Sequence, residues 1–347
     1  MNSLDYVPKN PRAFQGYVEG VRKLNDYLES NVGVQLAEAD RYLSQAIDSD
    51  PDFLPAQYYK SIVLTHERKS DDAIQLLEEL LNKKPTFQTE VLYNLAFAYA
   101  KKYQYEPLTK AIELAAKALD EAKADERTEL ILLLSAIRAW MFAVFAGRPY
   151  GHPENFDQRK REYLPRAVEI ADSVLKDRRL PELPADTRAA ITVEAHNAAG
   201  IAFMRIGQFS SVFRNEKNSA WQLALQHYLA ALSVHPHDVR VLDNISSLRL
   251  LQASKAAREG HTENIQKFAS QARDRALEAI SFNPGDQFRH YRRAQAEYLL
   301  GNLNGVHEAA QKALDQPGEV GEQKIRSLLN AQSTKDLAVV LDQNLTD

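Results

Sequence analysis

The residues best suited to bind a metal ion lie close together at His235, His237 and Asp238. Two imidazoles and a carboxylate are a ligand set that transition metals accept. Pro236 separates the histidines and cannot continue a helix, so we expect both imidazoles in a turn that faces water. We therefore predict no metal site there. The chain has no cysteine, which excludes disulfides, thiolate zinc sites and cysteine nucleophiles.

Known signatures of catalysis are absent from the full sequence. It contains no glycine-rich phosphate loop, dinucleotide-binding fingerprint, nucleophile elbow or His-Glu-x-x-His zinc motif. We therefore predict a noncatalytic protein without a cofactor.

A second possible chemistry is contact with nucleic acid through the segment from Phe288 to Arg293. Arg289, Arg292 and Arg293 are interleaved there with aromatic residues, a combination able to pair with phosphates and stack on bases. A helix would display these side chains on different faces. The 43 basic and 47 acidic residues give a net charge of -4, which does not attract nucleic acid or an anionic membrane. We do not expect a nucleic-acid partner, and an RNA-contacting adaptor is the more distant alternative.

Neither the start of the chain nor its most apolar run suggests a membrane. Met1 to Arg12 has two prolines and no apolar core, which does not fit a signal peptide. Leu130 to Ala146 is mostly apolar, but it falls short of the roughly 20 residues that a span needs, and Arg138 interrupts it. We predict a buried helix there and no membrane partner. The lack of cysteine suits the cytoplasm, where we expect the protein.

A repeating array of helices must position these side chains. One pattern recurs along the chain. A small or apolar residue is followed four residues later by a second and three residues after that by a third, and a proline often stands five residues beyond the third. A small residue at each contact lets another helix approach closely, and the proline ends the helix. Clear copies begin 34 residues apart, at Ala39 and Ala73, and the pattern returns at Ala111, Ala167, Ala224, Ala272 and Val306.

The helix before each copy has its own mark, clearest at Gly200, Phe203, Gly207 and Phe209. Together these residues resemble the tetratricopeptide-repeat family, whose 34-residue unit is a pair of helices with small residues at the same spacings. The resemblance covers nearly the whole chain. It implies an all-α, right-handed α-solenoid of about seven helix pairs, with C-terminal capping helices and a concave groove of the kind that binds peptides.

The resemblance also implies which residues line that groove, because in the family the first helix of each pair faces it. Aromatic residues at these positions suit capture of an apolar or amphipathic peptide, although several of them would alternatively pack against the adjacent helix. The candidate groove residues are Tyr58, Ile62, His66, Glu90, Tyr93, Phe97, Lys101, Asn197, Arg205, Arg240, Asp243, Phe288, Tyr291, Gln295 and Tyr298.

Some family members hold the acidic C-terminus of a chaperone in a carboxylate clamp. Asn244 and Arg292 stand at two of its five positions, and both are further candidate groove residues. However, Asn197 stands where the clamp needs Lys, and Ile201 stands where it needs Asn. We do not expect chaperone docking.

The regular period breaks in the middle of the chain, where Gly147 to Asp157 and Ser210 to Ser219 predict long loops. Our leading prediction is a scaffold or adaptor that binds a protein or peptide partner in its groove. The main alternative is a regulatory subunit that binds a folded enzyme through the two loops. Partner identity and oligomeric state stay open. The predicted organisation is an extension (1–12), regular repeats (13–125), irregular repeats (126–236), two further repeats (237–317) and capping helices (318–347).

Overall fold

The computed structural model describes residues 7–30, 33–102, 104–146, 156–209, 213, 217–316 and 320–330. Within these residues the chain is predominantly helical and contains no strand, so the all-α solenoid is confirmed. The helices are α1 Pro11–Ser30, α2 Gly33–Ser49, α3 Leu54–His66, α4 Ser70–Asn82, α5 Gln88–Lys101, α6 Tyr105–Ala124, α7 Thr128–Ala146, α8 Phe156–Leu175, α9 Ala185–Gln208, α10 Lys217–Val234, α11 Val239–Glu259, α12 Thr262–Phe282, α13 Gln287–Leu299, α14 Leu303–Leu314 and α15 Glu322–Asn330.

Small residues sit where the two helices of each pair cross. Ala39, Ala73, Ala224 and Ala272 are fully buried, as the repeat pattern predicts. In the fifth pair, α9 and α10 approach so closely that a methyl group on Gly200 would lie 2.4 Å from a ring carbon of Tyr228. The spacing of small residues therefore fixes the pairing of the helices, because larger side chains would push them apart.

Consecutive pairs stack so that the odd-numbered helices form the inner layer. Among them, α1 contacts α3, α3 contacts α5, α7 contacts α9, and α11 contacts α13. Among the described helices, α7 alone is long and apolar enough to cross a membrane. It packs against α6, α8 and α9 within the array, and ten of its side chains are buried.

Aspartates begin the inner helices of the last two pairs. Asp238 accepts hydrogen bonds from the backbone N–H groups of Arg240 (3.0 Å) and Val241 (3.2 Å), and Asp286 caps α13 in the same way. An acceptor at this position satisfies N–H groups that have no partner inside the helix. The caps also hold carboxylates at the inner surface of the array.

The structure describes only part of the irregular segments. Residues 147–155, most of 210–216 and the final stretch with Leu337, Val340 and Leu341 lie outside the described residues. Of the two predicted capping helices, the first is present as α15, whose Ile325 and Leu328 are buried against the last pairs.

Candidate functional site

A row of aromatic rings runs along the inner face of the first four pairs, with one ring from each inner helix. Tyr27, His66, Phe97 and Trp140 follow one another with ring centroids 5.4, 6.4 and 5.8 Å apart. All four side chains are half-buried, so part of each ring is open to solvent. We call this set the aromatic row. The rings are edge-on or tilted relative to one another, and together they offer a row of apolar surfaces with polar edges, which suits side chains of a bound segment.

Lys101 adds a positive charge to this row. Its ammonium lies 5.0 Å from the ring centroid of Phe97 and 6.0 Å from that of Trp140, within the range of cation–π attraction. Burial, together with the charges of Lys101 and Arg240, lowers the pKa of His66 to about 4. The row therefore carries a neutral imidazole at pH 7 beside the cation of Lys101.

The inner helices of the last three pairs form a second wall that is charged. Arg240 pairs with Glu194 at 2.6 Å and with its own capping residue Asp238 at 2.8 Å. Arg289 donates to Asp243 at 3.0 Å. Burial raises the pKa of Asp243 to about 6, and Arg289 opposes the rise. We call Glu194, Arg240, Asp243 and Arg289 the charged wall.

The aromatic row and the charged wall lie near each other, because the charge of Arg240 acts on His66 and that of Arg289 on Tyr27. Arg68, which follows α3, lies 3.8 Å from Asp286 at the start of α13, so the second and seventh pairs meet. Burial raises the pKa of Tyr93, and the charges of Glu194 and Arg240 both act on its hydroxyl group. The second and seventh pairs therefore lie side by side. We call the inner surface formed by the two sets the lumen.

The candidate groove residues from the sequence divide into two groups. Tyr93, Phe97, Lys101 and Arg240 are partly exposed and border the lumen, as does His66. The other partly exposed candidates outside the charged wall are Ile62, Glu90, Arg205, Asn244, Phe288 and Arg292. Ile62 packs beside the cores of the first pairs, and Arg205 donates to Gln208 at 2.7 Å.

The second group corrects the prediction that these residues line the groove, because their side chains are packed between helices. Tyr58 is 7% exposed, accepts a hydrogen bond from Asn94 and lies edge-on to Phe87. Tyr291 and Tyr298 are 4% and 2% exposed inside the core of the last pairs. Asn197 is also buried, and its Oδ1 accepts from Asn244 at 2.8 Å. The four support the wall of the groove and offer little surface to a ligand.

Arg292 is the most unusual member of the set. Its guanidinium lies 4.1 Å from the ring centroid of Phe288, and its Nε and Nη1 are buried without a hydrogen-bond partner. Burial lowers its pKa to about 10, and the negative charge of Asp243 opposes the fall. A buried donor without an acceptor costs free energy.

The sequence reading missed Tyr27 and Trp140. Trp140 lies in the apolar run of α7, where every face is apolar and no pattern marks the one that points inward. Tyr27 lies on α1, where no groove position was assigned. What identifies the two residues is that they are aromatic and lie next to His66 and Phe97 on the inner helices. This proximity can be seen only in the stacked structure.

The two other chemistries raised by the sequence have structural explanations. In the basic segment, Arg289 is bound to Asp243, Arg293 to Glu308 at 3.0 Å, and His290 hydrogen-bonds to the carbonyl of Pro284. These side chains do not form a continuous basic surface. His235 and His237 are exposed, and Asp238 caps α11. Within the described residues no group of three His, Asp or Glu is placed to hold a metal ion.

Comparisons with known proteins give a likeness of fold. No protein-family model matches the chain, and no curated protein matches it. The structure of NprR in complex with its cognate peptide NprX has a TM-score of 0.56 at 13% identity, covering 99% of this chain and 90% of that one.

Two further solved structures superpose more loosely. The TPR2AB domain of yeast Sti1 in its pHSP90 complex has a TM-score of 0.28 at 15% identity, over 92% of this chain and 97% of that one. The human IFIT1 dimer with m7Gppp-AAAA has a TM-score of 0.41 at 16% identity, over 99% and 78%. The repeat signature, the stacked helix pairs and the likeness to NprR together show that this chain has the tetratricopeptide-repeat fold.

Proposed function

We propose that this protein is a noncatalytic interaction scaffold that holds a peptide segment of a partner protein in its lumen. The aromatic row carries the proposal. Four partly exposed rings from four successive inner helices follow one another, and the ammonium of Lys101 lies near two of them. Aromatic residues at interfaces supply much of the binding free energy, because they bury a large area at low entropic cost.

The charged wall gives the lumen a second function, which is to orient the bound segment. Its carboxylates and guanidiniums are already paired, as in Arg289 with Asp243, so they form a fixed pattern of charge. Such a pattern selects among ligands and sets their direction more than it adds affinity. The peptide held by NprR, which shares the fold, shows one use of this architecture. A cytoplasmic location is part of the proposal, since the chain contains no cysteine.

Selection of a peptide ligand tests the proposal. A library of random peptides is displayed against the immobilised full chain, and the affinity of the selected peptide is measured for the parent and for a Phe97→Ala, Trp140→Ala double variant. We expect a loss of roughly tenfold to a hundredfold, because truncating interface anchors typically costs about 2 kcal/mol or more. Leu277→Ala is the control, because Leu277 is 39% exposed on the outer helix α12 and should leave the affinity unchanged.

Two outcomes would contradict the proposal. One is a peptide that binds both the double variant and the parent equally well. The other is preferential binding of a single-stranded oligoadenylate RNA, with an affinity that falls steeply as salt rises, since phosphate contacts release counterions.

A specific contact favours a second candidate, a regulatory subunit that binds a folded enzyme. Phe156 follows one irregular segment and Phe209 precedes the other, and their rings lie 5.7 Å apart. The buried Lys160 bridges them, with its Nζ 3.5 Å and 4.1 Å from the two ring centroids. Phe156 and Phe209, which border the two segments, therefore lie side by side. Replacing Arg214 to Asn218 with a Gly-Ser linker should then weaken a folded partner and spare a peptide.

A further inference from the structure

The first helix of the array presents an apolar face that no described part of the chain covers. Large apolar side chains that are strongly exposed are concentrated there: five of the eleven in the described structure lie between residues 7 and 34. They are Val7 (81%), Phe14 (49%), Val18 (44%), Leu28 (50%) and Val34 (61%). A cluster of this kind marks an interaction surface, whereas single exposed apolar residues are normal.

Helical spacing places three of these side chains on one face of α1, whereas Val7 precedes that helix and Val34 lies on α2. Phe14, Val18 and Leu28 are spaced four and then ten residues apart, and the partly exposed Val21 lies between them on the same face. The opposite face carries Gly16 and Gly20, where an added methyl group would lie within 3 Å of α2. One side of α1 therefore packs against α2, and the other side is exposed at the N-terminal end of the array.

The face is complementary to itself when two copies run antiparallel. With Val21 on a two-fold axis, Phe14 lies opposite Leu28 of the partner subunit, and the same contact recurs on the other side of the axis. Arg22, on the edge of the face, is already paired with Glu19 of its own chain at 2.7 Å. Reciprocal contacts of this type define an isologous dimer.

Head-to-tail stacking of copies does not satisfy the face equally well. The C-terminal end of the array is covered by α15, which buries Ile325 and Leu328 and leaves Glu322, Gln323 and Arg326 exposed. An apolar face would gain little from that polar end. We propose that two copies of this chain associate through antiparallel α1 helices about a two-fold axis at Val21.

The size of the surface sets the expected strength of the dimer. A helix of 20 residues is about 30 Å long, and one of its faces is smaller than the roughly 800 Å² that each partner contributes to a standard interface. We therefore expect a dissociation constant in the micromolar range, and the dimer should be visible only in concentrated protein.

Light scattering on the full chain tests the dimer. At high micromolar concentration the parent should show a mass clearly above the 39.2 kDa of one chain and approaching twice that value, and dilution should bring it back. Val18→Glu should stay at the mass of one chain at every concentration. The matched control is Leu229→Glu, because Leu229 is 48% exposed but lies on α10; it should behave as the parent does.

A parent that remains monomeric in concentrated solution would overturn the proposal, as would equal dissociation by the two glutamate variants. If Val18→Glu fails to fold by circular dichroism, cross-linking decides instead. Because the chain has no cysteine, Val21→Cys introduces a single thiol that faces its own copy across the axis. We expect a disulfide-linked dimer on mild oxidation, whereas Leu229→Cys should stay monomeric. Failure of Val21→Cys to cross-link would rule out the antiparallel arrangement.

Discussion

Single residues decide how closely the helices of a pair approach, and Gly200 and Gly207 show it best. A methyl group on Gly200 would lie 2.4 Å from Tyr228, and one on Gly207 would lie 2.3 Å from Trp221. Both rings are held inside the core, and Trp221 also donates a hydrogen bond to the Met204 carbonyl at 3.1 Å. Neither ring can move away without disturbing the fifth pair.

We predict that Gly200→Ala and Gly207→Ala each lower the free energy of unfolding, by roughly 1 to 3 kcal/mol, because overpacking forces the helices apart. Urea denaturation followed by circular dichroism measures the change. Gly33→Ala serves as the control, since nothing lies within 4 Å of its added methyl group. If all three variants unfold at the same urea concentration, the close approach of α9 and α10 is wrong.

Partly buried histidines make the stability depend on pH. Burial lowers the pKa of His66 to about 4, and it does the same for His196, which shares a hydrogen bond of 3.0 Å with His227. The unfolded chain takes up these protons near pH 6.5, whereas the folded chain resists them down to about pH 4. The free energy of unfolding should therefore fall as the pH drops through that window.

His66→Gln should reduce this loss of stability between pH 7 and pH 5, because it removes one group that only the unfolded chain protonates in that range. Its neighbour in the aromatic row provides the comparison, since Tyr27→Phe changes the row without removing a group that titrates there. Urea titrations at both pH values give the slopes. A variant that loses as much stability as the parent would contradict the burial of a neutral imidazole at His66.

At the scale of the element, a turn between helices contains backbone strain that a single substitution can relieve. Glu126 ends the turn after α6 with a φ of 55°, in the left-handed region that non-glycine residues avoid. Its side chain is exposed and has no part in the lumen. The position therefore reports on backbone conformation alone.

Glu126→Gly should raise the free energy of unfolding by about 0.5 to 1 kcal/mol. The substitution relieves the left-handed strain of the folded chain, and this gain exceeds the loss from the larger conformational entropy that glycine gives the unfolded chain. Asp125→Gly next to it should instead lower the stability, since Asp125 has ordinary helical angles. Thermal melts of the two variants make the comparison. Equal shifts in the same direction would show that the turn does not have this conformation.

The sequence predicted the elements well because their positions follow from steric needs. A small residue must stand at each helix crossing, so the copies at Ala39 and Ala73 placed α2 and α4 correctly. The site was only partly predictable. Phe97, Lys101 and Arg240 followed from the repeat register, whereas Tyr58 and Tyr298 proved to be packed between helices. A register identifies a helix face, but it does not say whether the next helix covers that face.

At the scale of the molecule, the lumen arises from a rotation that accumulates over all the pairs. The contact between Arg68 and Asp286 joins residues more than 200 positions apart, and no local pattern encodes it. The same accumulation places the aromatic row near the charged wall. The stacking of the second and seventh pairs thus positions a site whose rings come from the first four pairs.

The protein's two tryptophans allow this account to be tested at the site itself. Trp140 lies in the aromatic row, whereas Trp221 is buried against α9. In a Trp221→Phe variant the emission comes from Trp140 alone. Titration with a peptide selected against the parent chain should shift this emission to shorter wavelength or quench it, because the bound segment excludes water from the ring. The dissociation constant obtained from this titration should equal the one measured independently by calorimetry. A peptide that binds by calorimetry but leaves the emission of Trp140 unchanged would show that it binds elsewhere, and would contradict the lumen as the binding site.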